Sequence, residues 1–133
     1  MKRTTLFRIL TVLYLGVIAL LCFANFNSLP DVSRTLFGIP MDKVVHFLMF
    51  LPFPVLAFKS FRLRDKGVVA TILIIVGIFI LGCGIAWVTE YVQGKLPYRT
   101  MDLLDFRADR IGLACGSILT FIFSLVFRPK ADA

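Results

Sequence analysis

The chain reads as an all-α integral membrane protein, a bundle of four transmembrane helices with its N-terminus and C-terminus in the cytoplasm. Three observations carry that reading. Of 133 residues, 59% are hydrophobic and the mean hydropathy is +0.88, more apolar surface than a water-soluble domain can hide. The apolar residues fall into four runs, and the charged residues gather at the flanks of those runs rather than inside them. With no internal repeat, low-complexity segment or long linker, residues 1–133 form a single domain.

The first helix is expected over 6–26. Lys2, Arg3 and Arg8 precede or open it, and no small-x-small cleavage site follows, so it reads as an uncleaved signal anchor rather than a removed signal peptide. The second is expected over 41–61, where Pro52 and Pro54 remove backbone donors and kink the helix, leaving carbonyls for neighbouring helices to satisfy. The third spans 68–93. The fourth spans 101–127, with Leu103, Leu104 and Phe106 on a lipid-facing side. About 20 residues are needed to cross about 30 Å of hydrocarbon, and each helix meets that length. Cys22, Cys83 and Cys115 all lie within apolar runs, where cysteine behaves as a small hydrophobe.

A net charge of +7 raises the question of a nucleic-acid partner, and the placement of the charges answers it. Lys2, Arg3, Arg8, Lys59, Arg62, Arg64, Lys66, Arg128 and Lys130 would lie on the cytoplasmic side, against Arg34, Lys43, Lys95, Arg99, Arg107 and Arg110 outside. This is the positive-inside bias of a membrane protein, and no nucleic acid is expected. The acids run the other way: Asp31, Asp42, Glu90, Asp102, Asp105 and Asp109 fall outside, Asp65 and Asp132 inside. Trp87, Tyr91 and Tyr98 stand where an outer aromatic belt would be.

Helical period turns that acidic excess into a candidate site. Asp42 and His46 are four apart and share a face. Gly82, Ala86, Glu90 and Gln93 form a stripe on the third helix, and Asp102, Asp105, Asp109, Gly112 and Gly116 form another on the fourth. Gly112 and Gly116 make a GxxxG pair, which lets helices approach closely. If the small halves of the two stripes pack together, their polar halves converge on one extracytoplasmic pocket. Ionisable groups in spans face a cavity or a partner, because a charge at the helix centre costs at least about 2.5 kcal/mol. A transport path is disfavoured, since Thr71 is the one polar side chain between Gly67 and Thr89.

Four segments, Asp42-Lys43-Val44-Val45-His46-Phe47, Glu90-Tyr91-Val92-Gln93, Pro97-Tyr98-Arg99 and Asp105-Phe106-Arg107-Ala108-Asp109-Arg110-Ile111-Gly112, together resemble the signature of the VanZ-like family. The resemblance spans Asp42 to Gly116 and about three of the four helices. Asp109 departs from it, since Asn is usual there; an amide both donates and accepts, whereas a carboxylate only accepts. The family takes its name from an accessory protein linked to low-level resistance to the glycopeptide teicoplanin. The resemblance implies a multi-pass protein of the bacterial cytoplasmic (inner) membrane acting in the cell envelope.

Two functional expectations follow. The first is a non-catalytic factor that binds a lipid-linked or anionic envelope ligand through Asp42, Lys43, His46, Glu90, Gln93, Arg99, Asp102, Asp105 and Asp109. Arg99 would grip phosphate bidentately and Lys43 would act as a point charge. The partners are then membrane lipids and a lipid-linked cell-envelope precursor. The second is a membrane enzyme acting on a phosphorylated or glycosylated lipid, with His46 as general base oriented by Asp42, and Glu90, Asp105 and Asp109 holding a divalent cation. His46, Asp42, Glu90 and Asp105 are its catalytic candidates. The spacing matches no standard metal-ligand motif.

Overall fold

The computed structural model describes residues 2–25, 28, 35–61 and 66–127. Phe26 and the charged residues Asp31, Arg34, Arg62, Arg64, Asp65, Arg128, Lys130 and Asp132, used above for helix limits and orientation, lie outside them. The elements are α1 (Arg3–Phe23), β1 (Thr35–Leu36), β2 (Ile39–Pro40), α2 (Met41–Phe50), α3 (Phe53–Lys59), α4 (Val68–Gln93) and α5 (Leu103–Val126). With α2 and α3 taken as one broken span, Met41–Lys59, four helices are long and apolar enough to cross a membrane. They present broad apolar exteriors: Val12, Leu20, Val69, Leu73 and Val126 are all about two-thirds or more exposed. Such a surface suits lipid rather than water.

Helix α4 matches its expected limits, 68–93. α1 begins and ends three residues earlier than 6–26, because Arg3, Thr4 and Thr5 supply a first turn before the apolar run begins. α5 starts at Leu103 instead of 101, since Asp102 caps it: the Asp102 carboxylate accepts from the Leu104 N–H at 2.8 Å. The expected kink in the second span is a complete break at Leu51 and Pro52. Tyr14 on α1 donates to the freed carbonyl of Met49 at 2.6 Å, so a neighbouring helix does satisfy it. Near the far end of α3, Thr11 and Ser60 share a hydrogen bond of 3.0 Å, and Arg8 Nε donates to the Ser60 carbonyl at 3.1 Å.

Strands β1 and β2 form a two-stranded antiparallel hairpin, Thr35 opposite Pro40 and Leu36 opposite Ile39. It turns on Phe37 and Gly38, both with positive φ, 50° and 78°, the sense that suits a tight hairpin. A two-residue strand has too little periodicity to be read from sequence.

Small residues fix how the helices meet. The expected pairing of the α4 and α5 stripes is replaced by a different one. A methyl at Gly112 would collide with the Phe47 backbone, and one at Gly116 with the Leu51 carbonyl and the Pro54 ring. The GxxxG pair of α5 therefore admits the backbone of the broken α2–α3 span. Gly82 of α4 accommodates Leu113 and Phe53 instead. Phe50, Phe53, Ile18, Leu113 and Ala86 complete the shared core.

The helix break and the glycine pair yield a test with opposite signs. Gly116→Ala should lower stability in detergent by about 1–3 kcal/mol through overpacking. Gly77→Ala, where a methyl meets nothing within 4 Å, should be neutral or raise it by up to about 1 kcal/mol. Thermal melts of both variants check the pair, and equal shifts would contradict the packing.

Candidate functional site

The sequence-predicted residues gather at one end of the bundle, where α1 ends, α2 begins, α4 ends and α5 begins. Two charge clusters sit there, one above the other. The first surrounds Lys43, whose Nζ lies 2.8 Å from Asp42 Oδ2, 2.5 Å from Asp102 Oδ2 and 2.5 Å from Asp105 Oδ1. Helix α2 thus carries an ammonium into a ring of three carboxylates supplied by itself, by the cap of α5 and by the first turn of α5. The Lys43 ammonium, with help from the Leu104 N–H, holds the Asp102 carboxyl below the usual carboxylate range.

The second cluster is deeper. His46, one turn beyond Asp42, places Nδ1 2.9 Å from Asp109 Oδ1 and 3.9 Å from Glu90 Oε1. Glu90 and Asp109 are fully buried and His46 nearly so. The backbone N–H of Asp102 donates to Glu90 Oε2 at 3.1 Å. That leaves Glu90 Oε1 and Asp109 Oδ2 as buried oxygens with no hydrogen-bond partner among the described residues. Asp105 joins the two clusters, because its Oδ1 meets Lys43 while its Oδ2 lies 3.6 Å from His46 Nε2.

Gln93, Tyr98 and Arg99 also reach across to the end of α1. Gln93 Nε2 donates to the Cys22 carbonyl at 2.9 Å, the Tyr98 hydroxyl to Phe23 at 2.7 Å, and an Arg99 terminal nitrogen to Leu21 at 3.1 Å. The last carbonyls of any helix lack intrahelical donors. At the C-terminus of α1 three of them are met by side chains from the end of α4 and the loop after it, with Leu20 served by the Ala24 N–H. Arg99 also brings positive charge to the negative end of that helix dipole. Tyr98 is consequently drawn into the bundle, whereas Trp87 and Tyr91 remain half exposed as belt residues would be.

An open recess of about 530 Å³ lies over this end, lined by residues that include Asp42, His46, Tyr98, Arg99, Thr100, Asp102 and Asp105. Next to it, between α1 and α2, runs an apolar groove of about 240 Å³ bordered by Val17, Leu21, Val45 and Leu48. Helix α2 contributes to both, Asp42 and His46 to the recess and Val45, Leu48 and Met49 to the groove. The role of α1 here was hidden from sequence, because its contributions at the site are backbone carbonyls and aliphatic side chains.

Such an architecture, four apolar spans closed at one end by buried polar groups, belongs to the class of multi-pass membrane proteins. No family model matches the chain, and no solved structure does. Over 82 residues it is 30% identical to an uncharacterized protein of Schizosaccharomyces pombe, a match that covers 62% of this chain and 48% of that one. The chain spans about half the length of that curated relative.

The shifted Asp102 carboxyl gives a pH test. A folded-state value below the unfolded one, about 3.9, contributes stability that is present above that value and lost as pH falls through the folded one. Thermal melts between about pH 2 and 6 should therefore show an acid limb that is shallower in Asp102→Asn than in wild type. An unchanged limb would mean that the Lys43 pairing does not form.

Proposed function

We propose that this chain is a VanZ-like protein of the bacterial cytoplasmic membrane, with both termini in the cytoplasm and its polar recess opening on the extracytoplasmic side. There it binds the head of a lipid-linked envelope precursor and so contributes to teicoplanin tolerance. The observation that supports the reading is that one helix, α2, lines both the polar recess of about 530 Å³ and the apolar groove of about 240 Å³. An amphiphile needs both environments side by side. The acidic ring suits hydroxyls, since carboxylates accept from sugar O–H groups, and Arg99 at the recess wall supplies a donor for phosphate. Lys43, enclosed by three aspartates, sets their geometry rather than gripping phosphate itself. The yeast relative is compatible with a wider distribution of the same scaffold.

A second reading, an integral membrane enzyme on a phosphorylated or glycosylated lipid, is favoured by His46, which lines the recess while contacting Asp109 and facing Asp105. An imidazole between carboxylates is the arrangement of a general base. Native mass spectrometry of the detergent-purified protein separates these readings from a purely structural cluster. Wild type should carry a co-purifying glycosylated or phosphorylated lipid, and Asp105→Asn should lose most of it. His46→Gln should keep the lipid under the binding reading and abolish turnover under the enzymatic one. Wild type that holds no lipid would refute both.

A further inference from the structure

We infer that His46, Glu90 and Asp109 form a binding site for a divalent transition-metal ion. The ligand atoms of these three residues, one from each, lie within 4.8 Å of one another, and all three residues are buried. The expected cation set of Glu90, Asp105 and Asp109 is thereby revised: Asp105 is committed to Lys43, and His46 takes its place. Two features beyond the clustering suit a cation as the ligand. Glu90 Oε1 and Asp109 Oδ2 are buried without a hydrogen-bond partner among the described residues, and burying carboxylate oxygens unpaired is costly. Glu90 Oε1 also faces His46 Nδ1 at 3.9 Å, so the orphaned oxygen is aimed into the cluster.

Comparison of the two clusters sharpens the point. In the shallower one, Lys43 Nζ sits at the centre of three carboxylates and serves as an internal cation. Among the described residues, none places an ammonium or guanidinium at the centre of the deeper cluster. A divalent ion would cancel the two carboxylate charges and leave the imidazole neutral. One imidazole nitrogen with carboxylate oxygens, and no thiolate, suits Zn²⁺, Mn²⁺ or Fe²⁺ rather than Cu⁺.

Binding requires His46 Nδ1 as a free lone pair. Any proton held between Nδ1 and Asp109 Oδ1 in the metal-free site must leave on binding, either to water or to Nε2, which lies 3.6 Å from Asp105 Oδ2. A carboxylate behind a metal-bound histidine is the usual means of fixing ring orientation and basicity. In the same way the Asp102 N–H holds Glu90 Oε2 and leaves Oε1 for the ion. His46 lines the recess, with Glu90 and Asp109 wholly buried behind it.

The test uses the full chain in detergent, stripped with chelator, and metal alone. Co²⁺ should bind to one site per chain with d–d absorption bands, be displaced by Zn²⁺, and raise the melting temperature. Glu90→Gln and Asp109→Asn should each weaken binding by about 100-fold or more, while Asp102→Asn in the shallower cluster should change it little. X-ray absorption on the wild-type zinc form should show an oxygen and nitrogen shell with one imidazole, a result that needs no variant to fold. Absence of saturable binding, a shell without imidazole, or unchanged affinity in both deep-cluster variants would overturn the site. These readouts involve no lipid, so they fail or succeed apart from the ligand proposed above.

Discussion

The hydrogen bond of 2.9 Å between His46 of α2 and Asp109 of α5 is the contact on which the polar end of the molecule depends. Glu90 and Asp109 are wholly buried, and buried charge without a partner is among the costliest things a fold can contain. The imidazole, from a third helix, meets Asp109 directly and stands 3.9 Å from Glu90 Oε1. Its position follows from the close approach of α2 to α5, which Gly112 permits by offering no Cβ to the Phe47 backbone. A small residue in the apolar region thus sets the geometry of a charged group one turn away.

Around that contact, the bundle meets the requirement that backbone groups be satisfied without water. The broken second span gives up its Met49 carbonyl to Tyr14. The end of α1 gives three carbonyls to Gln93, Tyr98 and Arg99. Both solutions tie α1 to the rest, and with Arg8 on the Ser60 carbonyl a helix with few buried side chains of its own is held at three levels by hydrogen bonds to backbone. The recess is a consequence: Tyr98 and Arg99, pulled onto α1, form one wall, and the aspartates around Lys43 form the other.

Much of this could be read from the residues. Hydropathy located all four spans, and the limits of α4 were right because Gly67 and Gly94 bound an unbroken apolar run. Spacing put Asp42 and His46 on one face, Glu90 on the buried stripe of α4, and Asp109 on that of α5, and the polar ends of these faces do meet, at His46, Glu90 and Asp109. Three things were not legible. Spacing shows which face a GxxxG pair occupies but not which helix fills it, and here it is α2 and α3 rather than α4. Acceptors that are backbone carbonyls leave no mark in sequence, which hid the role of Gln93 and Arg99. Lys43 and three aspartates are visible as charges, yet only the fold shows that the ammonium is enclosed by all three and that the deeper acids have His46 as their neighbour.

The central claim is that His46 and Asp109 are energetically coupled across the α2–α5 contact, and a double-mutant cycle measures that directly. Stabilities of wild type, His46→Gln, Asp109→Asn and the double variant, determined by reversible unfolding in detergent, should give a coupling of about 0.5–3 kcal/mol. Additive effects, with coupling indistinguishable from zero, would mean that the two side chains do not meet and that the polar end is organised in another way.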